Sequence, residues 1–238
     1  MLIATMVFLK IRNTHTKMKN LLRILFVSGF VLAYSQQNNS IPKLIPQAIN
    51  GKKGYINQKG QEVIKPEYNI AMFFSEDCNL LNSPKKTVRV FGSANYATVE
   101  KDKISYRINK KGVRVYQYKK SDLGKCEMSY EPPIYKPFAL SGAYGLVSKD
   151  DIDLGGYKDF DIYPQYDMLY VLSGDRENPM IVAVKNNKFG VVDKANKVII
   201  PFVYNDIKVN LSWKTAHLFE VSQDGKNYYF VDENNKAY

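Results

Sequence analysis

From Ile181 onward, apolar stretches alternate with Asn-rich turns, and the local structure can be read residue by residue. Ile181 to Lys185 reads as a strand, Asn186-Asn187 as a tight turn and Lys188 to Asp193 as the returning strand. Ala195-Asn196 turns the chain again into Val198-Ile199-Ile200. Asn and Asp suit such turns because they tolerate positive φ and bond their own backbone. Pro201 ends that third strand or marks an edge, since proline cannot donate to a ladder. Helix-period stripes are missing beyond the N-terminal segment, so no helix of ordinary length is predicted.

The same core recurs. Gly54-Tyr55-Ile56-Asn57, Tyr106-Arg107-Ile108-Asn109, Gly145-Leu146-Val147-Ser148, Gly190-Val191-Val192-Asp193 and Tyr229-Phe230-Val231-Asp232 align with starts 52, 39, 45 and 39 residues apart. The third place is always apolar: Ile56, Ile108, Val147, Val192 and Val231. A spacing near 40 is a signature of repeat architectures. After three cores a Pro precedes a Tyr (Pro66 and Tyr68, Pro164 and Tyr166, Pro201 and Tyr204), and Asn69, Asp167 or Asp206 follows. The chain is therefore predicted to be all-β: about five tandem antiparallel β-meanders over residues 49–238, propeller-like, with an open β solenoid as the alternative.

An aromatic-Gly pair, two apolar residues, an Asp or Asn turn and a Pro-x-Tyr-Asp stretch together resemble the WG (KWG) repeat. The resemblance spans roughly residues 49–238 and is strongest at 49–76 and 180–238. No Trp-Gly pair is present. Lys53, Ser105, Tyr144, Phe189 and Tyr228 hold the Trp place, and Tyr106 and Tyr229 hold the Gly place in two units. The resemblance implies an interaction scaffold and brings no catalytic residues with it.

The N-terminus reads as an address. Met18-Lys19-Asn20-Leu21-Leu22-Arg23 is a basic head, Ile24 to Leu32 an apolar run, and Ala33-Tyr34-Ser35 a small-residue cleavage site. That run covers only about 14 Å as a helix, against about 30 Å of bilayer core, so no stable membrane span is expected. Residues 1–17 then read as an upstream extension, 18–35 as a signal peptide and 36–48 as a linker. With no Cys at the cleavage site, the mature chain is expected to be exported and unlipidated.

Tyr (18) and Phe (12) are abundant and Trp occurs once, which suits pleated, half-buried surfaces. The net charge of +11 includes five cations from residues 1–35. Taken as lysines spread along the remainder, the excess reads as a solvated surface, and without a nucleic-acid module no nucleic acid is expected. Beyond the signal the one imidazole is His217, too little for a metal site or a nucleophile–imidazole pair. Cys78 and Cys126 either form a bridge across 48 residues, stabilising by about 4 kcal/mol, or remain two distant thiols. Among the acid pairs Glu76-Asp77, Asp150-Asp151-Asp153 and Asp159-Asp161, the second resembles a Ca²⁺ loop without the distal Glu. Gly51-Lys52-Lys53-Gly54 lacks the frame of a phosphate loop.

No cofactor, metal or catalytic residue is assigned. The expected function is an exported, non-catalytic binding module for an unknown protein or glycan. The alternatives are an exported polysaccharide or phosphoester hydrolase using loop carboxylates, and a structural envelope protein. Protein recovered outside the cytoplasm should begin at or near Gln36 on N-terminal sequencing. A cytoplasmic chain retaining Met18 would contradict the export reading.

Overall fold

A computed structural model describes residues 41–127, 132–149 and 159–238. The signal-like stretch 18–35 and the Asp150-Asp151-Asp153 run lie outside the described residues. The described chain is all-β, with short helices only, and its strands form five antiparallel meanders. The first sheet holds β1 (Leu44–Ile49), β2 (Lys52–Asn57) and β3 (Glu62–Tyr68). The second holds β4 (Ile70–Phe74), β5 (Tyr96–Lys101), β6 (Ile104–Asn109) and β7 (Arg114–Gln117). In the third are β8 (Tyr135–Leu140), β9 (Ala143–Ser148) and β10 (Ile162–Tyr166). The fourth has β11 (Met168–Val171), β12 (Ile181–Lys185), β13 (Lys188–Val192) and β14 (Val198–Tyr204). The fifth has β15 (Asp206–Ile207), β16 (Phe219–Ser222) and β17 (Tyr229–Val231).

Strand β1 corrects one boundary. It lies partly within 36–48, read above as a linker, and carries Pro46, a residue that cannot donate to a ladder. As the edge strand of its sheet, β1 needs no donor from Pro46 on its open side. Pro66, Pro137, Pro164 and Pro201 likewise stand in edge strands.

The repeat's Gly, Tyr and Asn have a common mechanical purpose. Between the pairs Lys53↔Tyr68 and Tyr55↔Ile64, β3 spends two more residues than β2 and bulges over Gly54. The same step separates Tyr144↔Tyr166 from Leu146↔Ile162, and Phe189↔Tyr204 from Val191↔Ile200. A Cβ at Gly54, Gly145 or Gly190 would stand less than 3.0 Å from the carbonyl oxygen of Ile64, Ile162 or Ile200. Glycine is required there because the third strand crosses so close. That strand then bends at one residue, Asn69, Asp167 or Asn205, and runs on as the first strand of the next sheet. The bend residue's N–H donates to Glu100, Val184 or Ser222 of the next sheet at 2.7–2.9 Å. In the fourth unit the bend residue is Asn205, and Asp206 beside it opens the next strand.

The two units with Tyr at the Gly place behave accordingly. Tyr106↔Gln117 and Arg107↔Tyr116 are successive pairs, so β7 passes Tyr106 without a bulge there and does not continue directly into the third sheet. Tyr229 faces no full third strand, only the bridge Val231↔Ala237. The fourth place caps the turn. Asn57, Asn109, Asp193 and Asp232 each accept two N–H bonds through Oδ1, from residues two and four places on.

Alternation along the strand sets which neighbour each core residue meets. The second place faces the following sheet: Tyr55 packs with Ala97, Val99 and Ile108, Leu146 with Ile181 and Val192, and Val191 with Phe219 and Val231. The third place faces the preceding sheet, where Ile108, Val192 and Val231 receive those contacts. Val147, at the third place of its unit, is fully buried. Phe230 packs with Ile45, Ile56 and Phe73, so the last sheet shares a core with the first. That sharing fits the propeller-like form; an open solenoid would hold its two end sheets apart.

Tyrosine hydroxyls pin these joints. Tyr166 donates to Asn196 and Tyr204 to Asn235, both at 2.6 Å and both to the positive-φ residue of the next unit's turn. The equivalent turn residue opposite Tyr68 is Gly112, which offers no side chain, and the buried Tyr68 hydroxyl has no partner of good geometry. Glu67 and Arg114 are its polar neighbours. Tyr204→Phe should therefore cost about 1 kcal/mol or more, because Asn235 loses its donor. Tyr68→Phe should be neutral or slightly stabilising. Denaturant midpoints for the two variants check this, and an equal loss in both would refute the assignment.

Candidate functional site

The second unit breaks the packing rule, and its departure begins with one residue. At the place where other units put Tyr55, Leu146, Val191 or Phe230, it has Arg107, which is 2% exposed. Its guanidinium donates to the carbonyls of Phe91 (2.8 Å), Ser75 (3.1 Å) and Ser93 (2.9 Å) and to Thr98 Oγ1 (3.1 Å). Three of these acceptors belong to an insertion between β4 and β5, which this face of the sheet therefore holds in place of an apolar core. A planar fork with five donors meets several carbonyls at once; an ammonium would not.

The insertion contains α1 (Cys78–Leu81), α2 (Lys86–Arg89) and a 3₁₀ turn at Val90–Gly92. Asp77 caps α1, accepting from the N–H of Asn79 (3.0 Å) and Leu80 (3.4 Å), and also accepts from the Tyr118 hydroxyl. Thr98 Oγ1 meets the same hydroxyl at 2.8 Å, so a polar chain runs from Arg107 through Thr98 and Tyr118 to Asp77. Burial, and then the bond to Asp77, push the Tyr118 phenol up to about 12. The Phe91 ring stacks on Tyr116 at 5.5 Å, and Tyr116 meets Tyr118 edge-on at 5.7 Å.

A second segment, the chain after β7, is clamped onto this insertion. Cys78 and Cys126 form a disulfide with Cα atoms 5.8 Å apart. The Gly124 N–H donates to the Asn79 carbonyl (2.7 Å), and Asn82 Nδ2 to that of Lys125 (3.1 Å). Lys85 pairs with Asp122 at 2.6 Å, and Asp122 also accepts from Ser121 and Tyr116. The Lys85 bond, followed by that of Ser121, holds the Asp122 carboxyl below the usual carboxylate range. Asp122 lies in a 3₁₀ turn, Lys120–Asp122, so the pair bridges the two segments directly.

The basic charge is not spread as the sequence reading had it. Residues 85–125 hold 12 of the 34 Lys and Arg against three acids, a net of +9. Elsewhere beyond residue 35, 17 cations face 20 acids. The excess belongs to the second unit. A running count of charge along the chain carries this signal, and the aligned cores already place Arg107 where its counterparts are apolar.

The other candidates are dispersed. His217 has φ +52 at the end of α3 (Ser212–Ala216), edge-on to Trp213 at 5.1 Å, and its Nδ1 is buried without a partner. Trp213 in turn stacks on Phe219 at 4.7 Å. Glu76 is exposed and Asp77 is committed to its cap, while Asp159 and Asp161 are exposed on a separate sheet's approach. Among the described residues no group of three His, Cys, Asp or Glu is arranged to hold a metal ion.

Arg107→Met should cost about 3 kcal/mol, leaving buried carbonyls without a donor. Hydrogen exchange should rise first in residues 75–95, the segment that those carbonyls anchor. A uniform rise across all five sheets would show that Arg107 serves the whole core instead.

A family model described as WG containing repeat matches residues 54–78 and 189–210. Both stretches run from the crossed glycine, or the residue before it, through the capped turn and past the one-residue bend. No curated protein and no solved structure matches the chain.

Proposed function

We propose that this chain, with WG-containing repeats at two places, is an exported, non-catalytic binding module whose second unit makes the contact. One observation carries the reading. Where the other sheets spend their outward face on a neighbour's apolar core, the second sheet spends it on holding a disulfide-clamped, cationic insertion. Loops placed on a rigid scaffold are where binding residues concentrate. A bridge between Cys78 and Cys126 suits an oxidising compartment, and so supports export independently of residues 18–35. The packing of His217 against Trp213 supports a structural place for the imidazole and not a catalytic one.

The test pairs two measurements on the exported protein. Polysaccharide, ester and phosphoester panels should give no turnover; turnover abolished by His217→Ala or by chelation would overturn the non-catalytic reading. A photo-crosslinker placed at Lys120 should trap a partner in situ, whereas one at Lys197, in the fourth unit's turn, should not. Trapping from Lys197 alone would move the contact surface away from the second unit.

A further inference from the structure

We propose that the two clamped basic segments, residues 84–90 and 119–125, dock the protein onto an anionic phospholipid surface. This rests on the reading that the second unit is the contact surface, and it names the partner's chemistry. Lys86 and Arg89 on one segment, and Lys119, Lys120 and Lys125 on the other, are all exposed. The one carboxylate within the two segments, Asp122, is buried and taken by Lys85. Among the described residues, Lys86, Lys119, Lys120 and Lys125 have no carboxylate partner. Their charge therefore faces solvent unneutralised, on a chain that is otherwise slightly acidic beyond residue 35.

Charge alone fits any polyanion; the apolar side chains decide between them. Val90 is 53% exposed and Leu123 is 37% exposed, one on each segment among the cations. A bilayer interface accepts both kinds of side chain, with cations among the headgroups and aliphatic groups at the acyl boundary. An acidic polysaccharide offers no apolar phase, and the rings that would stack on sugars, Phe91, Tyr116 and Tyr118, are half-buried against one another. The disulfide, the Lys85–Asp122 pair and the Asn82–Lys125 bond fix the two segments together before any contact, which spares ordering cost on binding.

The experiment is co-sedimentation of the exported protein with vesicles of phosphatidylcholine alone, or with added phosphatidylglycerol. Binding is expected only with phosphatidylglycerol, and it should fall as salt shortens the screening distance to about 3 Å near 1 M. Each cation removed should weaken partition roughly fivefold, so Lys119→Gln, Lys120→Gln and Lys125→Gln together should cost on the order of a hundredfold. Val90→Asn with Leu123→Asn should weaken binding without changing its salt slope. Neutralising Lys194, Lys197 and Lys214 of other units should leave partition unchanged, and thermal melting of every variant controls for folding. Equal binding to neutral vesicles overturns the proposal. Binding to soluble polygalacturonate with no partition onto vesicles overturns the lipid assignment and leaves the second unit as the contact surface. Unaltered partition in the triple Lys variant overturns both.

Discussion

A carbonyl oxygen lying directly over a glycine is the contact on which the architecture turns. At Gly54, Gly145 and Gly190 the third strand crosses so closely that any Cβ would collide with backbone. The crossing permits the bulge, and the bulge redirects the strand. One residue later the same strand is pairing in the next sheet, with its first N–H already given to that sheet. Successive sheets are thereby held face to face, and the alternation of the returning strand sends one apolar residue forward and the next one back.

Where Tyr replaces that glycine the consequence is architectural as well as local. Opposite Tyr106 the third strand makes no bulge and ends at Gln117, the sheet's forward face has no continuing strand to cover it, and an insertion fills the space. Covering that face with polar loops demanded a donor set large enough to satisfy several buried carbonyls. Arg107 supplies it, and Asp77 anchors the far end of the chain of bonds through Tyr118 and Thr98. A buried cation costs desolvation unless its hydrogen bonds are made, which is why this unit is so densely bonded. Lysines on the same loops carry no such burden and remain outside.

Much of this was legible in the residues themselves. Asn57, Asn109, Asp193 and Asp232 announce capped turns, and the Pro-to-Tyr stretch announces an edge strand about to leave its sheet. The meaning of the glycine was hidden, because close approach by a bulge leaves no mark in periodicity. Strand β1 carries Pro46, which argues against a strand, and α1 and α2, at four residues each, are too short for a helical stripe to register. Arg107 stood in plain sight within an alignment whose other members were apolar. The propeller-like expectation implies that the first and last sheets meet, but nothing local marks Ile45 and Phe230 as the residues through which they do.

That last contact has a temporal side. Ile45 and Ile56 lie in the first sheet, while Leu218 and Phe230 are made only after the second, third and fourth sheets. Until the final unit is present, one face of the first sheet has no partner. Closing this core brings together segments far apart along the chain, a slow kind of contact to form. For a chain exported as proposed above, such a delay favours passage, because an unfolded chain threads a translocation channel. The same geometry makes the terminal Tyr229–Val231 strand a poor place for truncation: its loss would strip the first sheet as well as the fifth.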